Sequence, residues 1–219
     1  MNLEDYGTLF VLVTLMLTLI VASPMLAMVV SFEGSSEQFT ELWLLDPNHA
    51  AENYPFNISA GEMYSVFVGL GNNMGNPEYY KIFMKFGNTT QLDFNSSKPS
   101  SLHPLYEFRG FVGDGDIWES PVTFELQNVS LVDKVLYGDN VTVNASIEDS
   151  VLSVNKVIIN GIAFPVDAYT SWDSENSGFY YCLSFELWRY DMVLKSFRFH
   201  DCIVGLRLNT TDSQLAKFL

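Results

Sequence analysis

Lysine and arginine are absent from the first 80 residues of this chain, and the first basic side chain is Lys81. Over the full length, 11 basic residues face 26 acidic ones, a net charge of −15. Such a balance repels a phosphate backbone, and no aromatic platform is flanked by Lys or Arg, so nucleic acid is excluded as a partner. The same absence removes the basic flank that would orient a helix by the positive-inside rule, and the basic n-region of an ordinary signal peptide. Cysteine is nearly absent too: Cys182 and Cys202 alone exclude a disulfide framework and a Cys-x-x-Cys zinc site. His49, His103 and His200 lie in three separate segments without metal-site spacing. His200 adjoins Asp201, but neighbours on a strand point to opposite faces. No Gly-x-Ser-x-Gly elbow, phosphate-cradling Gly-Lys-Ser/Thr or Gly-x-Gly-x-x-Gly run occurs, and no carboxylate pair stands out for glycoside hydrolysis. The sequence therefore predicts no enzyme, no cofactor and no metal site.

Charge is also missing from Thr8 to Val30, TLFVLVTLMLTLIVASPMLAMVV. At 1.5 Å per residue this run makes about 35 Å of helix, enough to cross a bilayer. A core helix would show a polar face, whereas this run has only scattered Thr and Ser. Val21-Ala22-Ser23 before Pro24 offers small residues for cleavage. Against cleavage stand Glu4 and Asp5 in the preceding segment, and a run longer than a normal h-region. The reading is a retained, single-pass anchor over 8–30, kinked near Pro24, with 31–38 as a linker.

Downstream lie seven Asn-x-Ser/Thr glycan acceptors: Asn57, Asn88, Asn95, Asn128, Asn140, Asn144 and Asn209. Random placement would give about two or three. N-linked glycans are added outside the cell or in the lumen, so residues 1–7 are expected in the cytoplasm and residues 39–211 outside, with 212–219 as a tail.

Residues 39–211 are rich in short aromatic and β-branched runs broken by Gly, Asn, Pro and Asp, which predicts antiparallel strands. Expected strands are Phe39–Leu45, Tyr64–Leu70, Tyr79–Phe86, Tyr106–Phe111, Val122–Leu126, Val141–Ser146 and Val154–Ile159. Asn160-Gly161 turns the last of these into Ile162–Val166. With no βαβ rhythm, the predicted fold is all-β, an antiparallel β-sandwich behind one transmembrane helix. In the closing hairpin, Leu183, Phe185 and Leu187 alternate with polar residues, as do Phe197 and Phe199. If both sets share the core face and Asp191–Val193 forms a three-residue loop, Cys182 lies opposite Cys202 and a disulfide is feasible. Two unpaired thiols are the alternative.

Gly113-Asp114-Gly115-Asp116 with Glu119 gathers three carboxylates that could hold calcium. It lacks the twelve-residue loop, and turn chemistry explains Asp-Gly pairs equally well. Trp43, Trp118, Trp172 and Trp188, among many Tyr and Phe, fill a core or serve an interface.

The run FTELWLLDPNHAAENYPFNISAGEMYSVFVGLGNN, Phe39 to Asn73, resembles the archaeal family called domain of unknown function 1616. The shared pattern is an opening strand, an acidic Tyr-Pro element, an acceptor Asn, Gly-Glu and a Val-rich strand ending in Gly and Asn. The segment FELWRYDMVLKSFRFHDCIVGLRLNTT, Phe185 to Thr211, is similar to that family's terminal hairpin. Residues 88–150 find no counterpart and are read as an insertion, expected to be sugar-coated. The resemblance implies an archaeal, membrane-attached, Ig-like surface domain with no assigned activity. Longer members carry several membrane segments where this chain has one.

The expected role is a non-catalytic, N-glycosylated cell-envelope protein, in contact with membrane lipid and acting as a structural or accessory subunit beside other envelope or membrane proteins. Two alternatives remain open at this point: a pilin-like filament subunit with the apolar helix in the filament core, and an envelope enzyme or carbohydrate-binding module with an acidic, aromatic cleft.

Overall fold

The computed structural model describes residues 6–7, 10–20, 37–92, 94, 97–132 and 150–211. It divides into two compact units, Met1–Gln38 and Phe39–Leu219. In the first, residues 10–20 are helical. Thr14 and Thr18 donate their hydroxyls back to the carbonyls of Phe10 and Thr14, at 2.7 and 3.0 Å, which satisfies both polar groups within an apolar helix. Among the described residues no helix is long and apolar enough to cross a membrane, and the expected 8–30 span lies partly outside them.

The second unit is built from strands β1 (Phe39–Leu45), β2 (Asn57–Ser59), β3 (Met63–Asn73), β4 (Glu78–Asn88), β5 (Tyr106–Val112), β6 (Ile117–Val132), β7 (Val151–Ile159), β8 (Ile162–Ser171), β9 (Tyr180–Asp191) and β10 (Ser196–Thr211). They form two five-stranded sheets, ordered β1-β3-β6-β7-β8 and β2-β10-β9-β4-β5. Only the β2–β10 pair is parallel among the described pairings. Alternate residues of each sheet enter one shared core: Val66, Val68, Leu70, Val122, Phe124 and Leu126 from the first, Tyr80, Ile82, Met84, Leu183, Phe185 and Leu187 from the second. All are 2% exposed or less. Each such side chain contributes about 1.5–3 kcal/mol by leaving water, and that gain fixes the period-2 register of both sheets.

Two of the passages between the sheets, at residues 74–77 and 113–116, lie at the end where β1 begins, called here the Phe39 end. Buried Asn72 fastens these crossings. Its Nδ2 lies 2.8–3.1 Å from the carbonyls of Val112, Asn76 and Gly113, and its Oδ1 accepts from Tyr80 Oη at 3.0 Å. At the other end, the Asn209 end, β4, β9 and β10 meet through Asn88↔Tyr181 and Asn209↔Tyr180.

The hairpin at Asn160-Gly161 forms as the sequence predicts, with φ of 49° and 78°. The β9–β10 hairpin does not. Its loop is Met192–Lys195, four residues long, because Asp191 Oδ1 accepts from the amides of Val193 and Leu194 (2.9 Å each) and Lys195 adopts φ 51°. Ser196 therefore pairs with Asp191, and Phe197 and Phe199 fall opposite Tyr190 and Trp188 on the outer face. Residues 200–202 then bulge, with Asp201 at φ 48°, and beyond the bulge Leu206 and Leu208 return to the core. The expected Cys182–Cys202 bridge is corrected accordingly: Cys182 pairs across from Arg207, and both thiols are free.

Residues 88–150 are likewise not one insertion. Within them β5 and β6 are integral, β6 lying between β3 and β7 with Val122, Phe124 and Leu126 in the core. The expected strand Val141–Ser146 lies outside the described residues.

Candidate functional site

Of the seven acceptor asparagines, Asn57, Asn88, Asn128 and Asn209 are described, whereas Asn95, Asn140 and Asn144 lie outside the described residues. Strand direction brings the four to one half of the second unit. Asn88 ends β4, Asn209 lies near the end of β10, Asn57 starts β2 beside it, and Asn128 lies in the part of β6 that runs past Met63, the first residue of β3. None is at the Phe39 end.

Their side chains differ in freedom. Asn57 and Asn128 are exposed, Asn128 with φ 53°, while Asn88 and Asn209 are half-buried. Asn88 Oδ1 accepts from Thr90 N at 3.1 Å and Thr90 Oγ1 at 2.8 Å, and its Nδ2 donates to the Tyr169 carbonyl at 2.9 Å. An amide nitrogen carries two N–H groups, so substitution by a sugar leaves one for Tyr169. Asn57 and Asn209 stand directly opposite each other in the parallel pair, and Asn209 Nδ2 donates to Asn57 Oδ1 at 3.0 Å. Sequence spacing of 152 positions gave no sign of this pairing, because strand β2 is only three residues long.

A second feature missed by sequence is an aromatic face on the outside of the second sheet. Tyr79 stacks on Phe111 at 4.4 Å and meets Phe197 at 5.2 Å, and Tyr190 meets Phe197 at 5.2 Å. Trp188 packs edge-on against Phe83 at 5.5 Å and Phe199 at 5.9 Å. Lys81 Nζ lies 4.3 Å from the Phe197 ring centroid, a cation–π contact. The odd register of the β9–β10 hairpin puts Phe197 and Phe199 on this face. Farther along the same face, Lys85 and Glu186 form a buried ion pair at 2.7 Å, and Ser100 closes it by donating its amide to Glu186 Oε1 and accepting from Lys85 Nζ, both at 2.9 Å.

The remaining candidates do not converge. Asp114 Oδ1 accepts from the Gly75 amide at 2.7 Å, while Glu119 turns to Trp43 Nε1 (3.2 Å) and His49 Nδ1 (3.4 Å). The acidic run at 114–119 thus serves turn and side-chain contacts, and among the described residues no group of three His, Cys, Asp or Glu could hold a metal ion. His49 packs tilted against Phe67 at 4.1 Å, and His103 is exposed in the β4–β5 connection. His200 Nε2 pairs with Thr40 Oγ1 at 3.0 Å, and burial holds its ring below the usual imidazole range. Trp43 lies over Gly69 and Gly71 on the outside of the first sheet, where a Cβ on Gly69 would come 2.2 Å from its ring. Trp118 and Trp172 pack against the core. Burial pushes the Cys182 thiol up to about 11 and raises that of Cys202. Cys202 lines an open depression of ≈ 390 Å³ with Leu42, Phe94, Ser97 and residues 201–204.

The family model described as domain of unknown function, DUF1616, matches residues 34–158, more than half of the chain. The match takes in β5 and β6, and stops before the closing hairpin. No curated protein matches. Among solved structures, the chain is similar to a β-glucosidase from Listeria innocua in complex with glucose, at TM-score 0.29 and 9% identity, over 80% of this chain and 17% of that one. A second, the same enzyme with isofagomine, gives TM-score 0.26 and 12% identity over 62% of this chain and 17% of that one. At these TM-scores the likeness carries no argument about activity.

Proposed function

The chain belongs to the DUF1616 family, and from that premise we propose that it is a non-catalytic, N-glycosylated cell-envelope protein. A single helix within residues 8–30 anchors it, and residues from Phe39 onward lie outside the cell as an accessory subunit of a surface or membrane assembly. The observation that carries this reading is the segregation of acceptors. All four described acceptor asparagines lie away from the Phe39 end, where the chain enters the sheets. A domain standing on a membrane would present its sugars in this way, with bulk and hydration on the far side.

An Ig-like sandwich is the finer fold assignment. The order β2-β10-β9-β4-β5, with a short strand parallel to the last, supports it by matching the G-F-C-C′ side of a variable-type domain. The other sheet departs from that plan, since β6, β7 and β8 run outward as a meander.

The test uses the chain in its native membranes. Alkaline carbonate extraction is expected to leave it in the pellet, and its intact mass is expected to exceed the 24.7 kDa of the polypeptide by glycans mapped to acceptor asparagines. A carbonate-soluble chain of unmodified mass would refute the reading.

A further inference from the structure

The three most exposed large apolar side chains among the described residues of the second unit, Val193, Met192 and Phe111, lie at the Phe39 end, whereas Met63, at 71%, lies at the other end. At the tip of the β9–β10 hairpin, Met192, Val193 and Leu194 are 82, 88 and 57% exposed. Phe111 near the end of β5, at 77%, and Ile117 at the start of β6, at 68%, lie at this end as well, as does Phe39. Folding gains nothing from three consecutive apolar residues in a solvent-exposed turn, where polar residues are the rule. Their register in the β9–β10 hairpin puts Tyr190 two residues behind the tip, about 7 Å along the strand, with Tyr79 and Phe197 against it. Lys195 closes the tip loop, and exposed Arg198 pairs with Arg189 one position behind Tyr190 and Phe197. Apolar tip, then amphipathic rings, then cations is the depth profile of a protein element seated in a bilayer interface.

We infer that the β9–β10 hairpin tip inserts into the lipid of the membrane, giving the domain a second, non-helical contact with the bilayer. This rests on the anchored reading above. Three features select lipid over a protein as the occupant. The eight residues 31–38 between the apolar run and Phe39 can reach no more than about 28 Å when extended. The described acceptor asparagines lie toward the other end. The exposed apolar residues are separate tips rather than a groove with complementary walls. Asp114 and Asp116 in the 113–116 turn are exposed at the same end, so the domain leans on the hairpin side with that turn kept in the headgroup water.

Photocrosslinking of the full chain in lipid vesicles tests this, with p-benzoylphenylalanine replacing Val193 in one variant, Met192 in a second and Ile162, on the β7–β8 turn, in a third. Benzophenone reports its neighbour directly, and these exposed positions leave the core intact. Phosphatidylcholine adducts at least tenfold more abundant at 193 or 192 than at 162 are expected. Adducts to protein, including a second copy, or adducts no more abundant than at 162, would overturn the inference. Carbonate extraction of the same vesicles separates the two readings. A chain that stays in the pellet without lipid adducts at the tip has lost the hairpin contact alone, whereas a chain released from the pellet has lost the anchor.

Discussion

Removal of the Lys85 ammonium is expected to destabilise the second unit more than any exposed charge change. Lys85 is 3% exposed and Glu186 0%, so Lys85→Met leaves a carboxylate in the interior with the Ser100 amide as its remaining donor. Breaking a buried pair from one side costs about 3–5 kcal/mol. With a urea slope of about 2 kcal/mol/M for a domain of this size, the midpoint falls by about 1.5–2.5 M. The double variant Lys85→Met/Glu186→Gln removes the stranded charge yet keeps an oxygen for Ser100 N, so it is expected within about 1–2 kcal/mol of the parent. With Glu186→Gln as the second single variant, the double-mutant cycle isolates the pair. Urea unfolding followed by tryptophan fluorescence reads it, because Trp188 sits two residues from Glu186 on the same face. Equal midpoints for Lys85→Met and the double variant would refute the reasoning.

Four further outcomes follow from the geometry. Asn72→Leu strands the carbonyls of Val112 and Gly113 at the sheet crossing and is expected to lose about 1–3 kcal/mol in the same assay. Gly69→Val drives a side chain into the Trp43 indole; loss of the Trp43 near-ultraviolet circular dichroism, with about 1–3 kcal/mol of destabilisation, is the expected readout. Asp46, Asp173 and Asp191 each hold a turn: the amide of Ala50, the Asn176 side chain and the amide of Leu194 are the leading causes that lower their carboxyls below the ordinary 3.8. The native carboxylates stay charged at a pH where unfolded ones protonate, so their stabilisation is full above about pH 4 and lost below it. Changing all three to Asn should flatten that acid limb, and parallel limbs would refute it. Thiol titration of the native chain should find two free thiols, with Cys202 reacting ahead of the buried Cys182 and no mass change on reduction.

The sequence made the strands legible wherever apolar residues alternated. Phe39–Leu45 matches β1 residue for residue, and Asn160-Gly161 marked its turn through the tolerance of both residues for positive φ. Register was not legible. Nothing in the alternation of Phe197 and Phe199 tells an outer aromatic face from a core one, since Phe suits both, and the loop length that decides between them depends on Asp191 capping Val193 and Leu194. The hairpin register alone would set Cys182 opposite Gly205, and the bulge at 200–202, with Asp201 at positive φ, shifts it on to Arg207. The acceptor asparagines were legible as a motif, but their gathering at one end is a property of strand direction. The pairing of Asn57 with Asn209 depends on a parallel strand too short to show periodicity.

That parallel pair also sets a timetable. Among the described pairings, strand β2 is joined by residues 209–211 of β10, and Asn209 is made 152 positions after Asn57. At synthesis rates of roughly 5–20 residues per second, Asn57 waits as an open strand for about 8–30 s, whereas Asn209 meets its partner as soon as it emerges. Under the glycosylated reading, the transferring enzyme sees the first asparagine long before the second. A sugar added to Asn57 is then already in place when β10 arrives to close the sheet edge, and the strand must dock beside it.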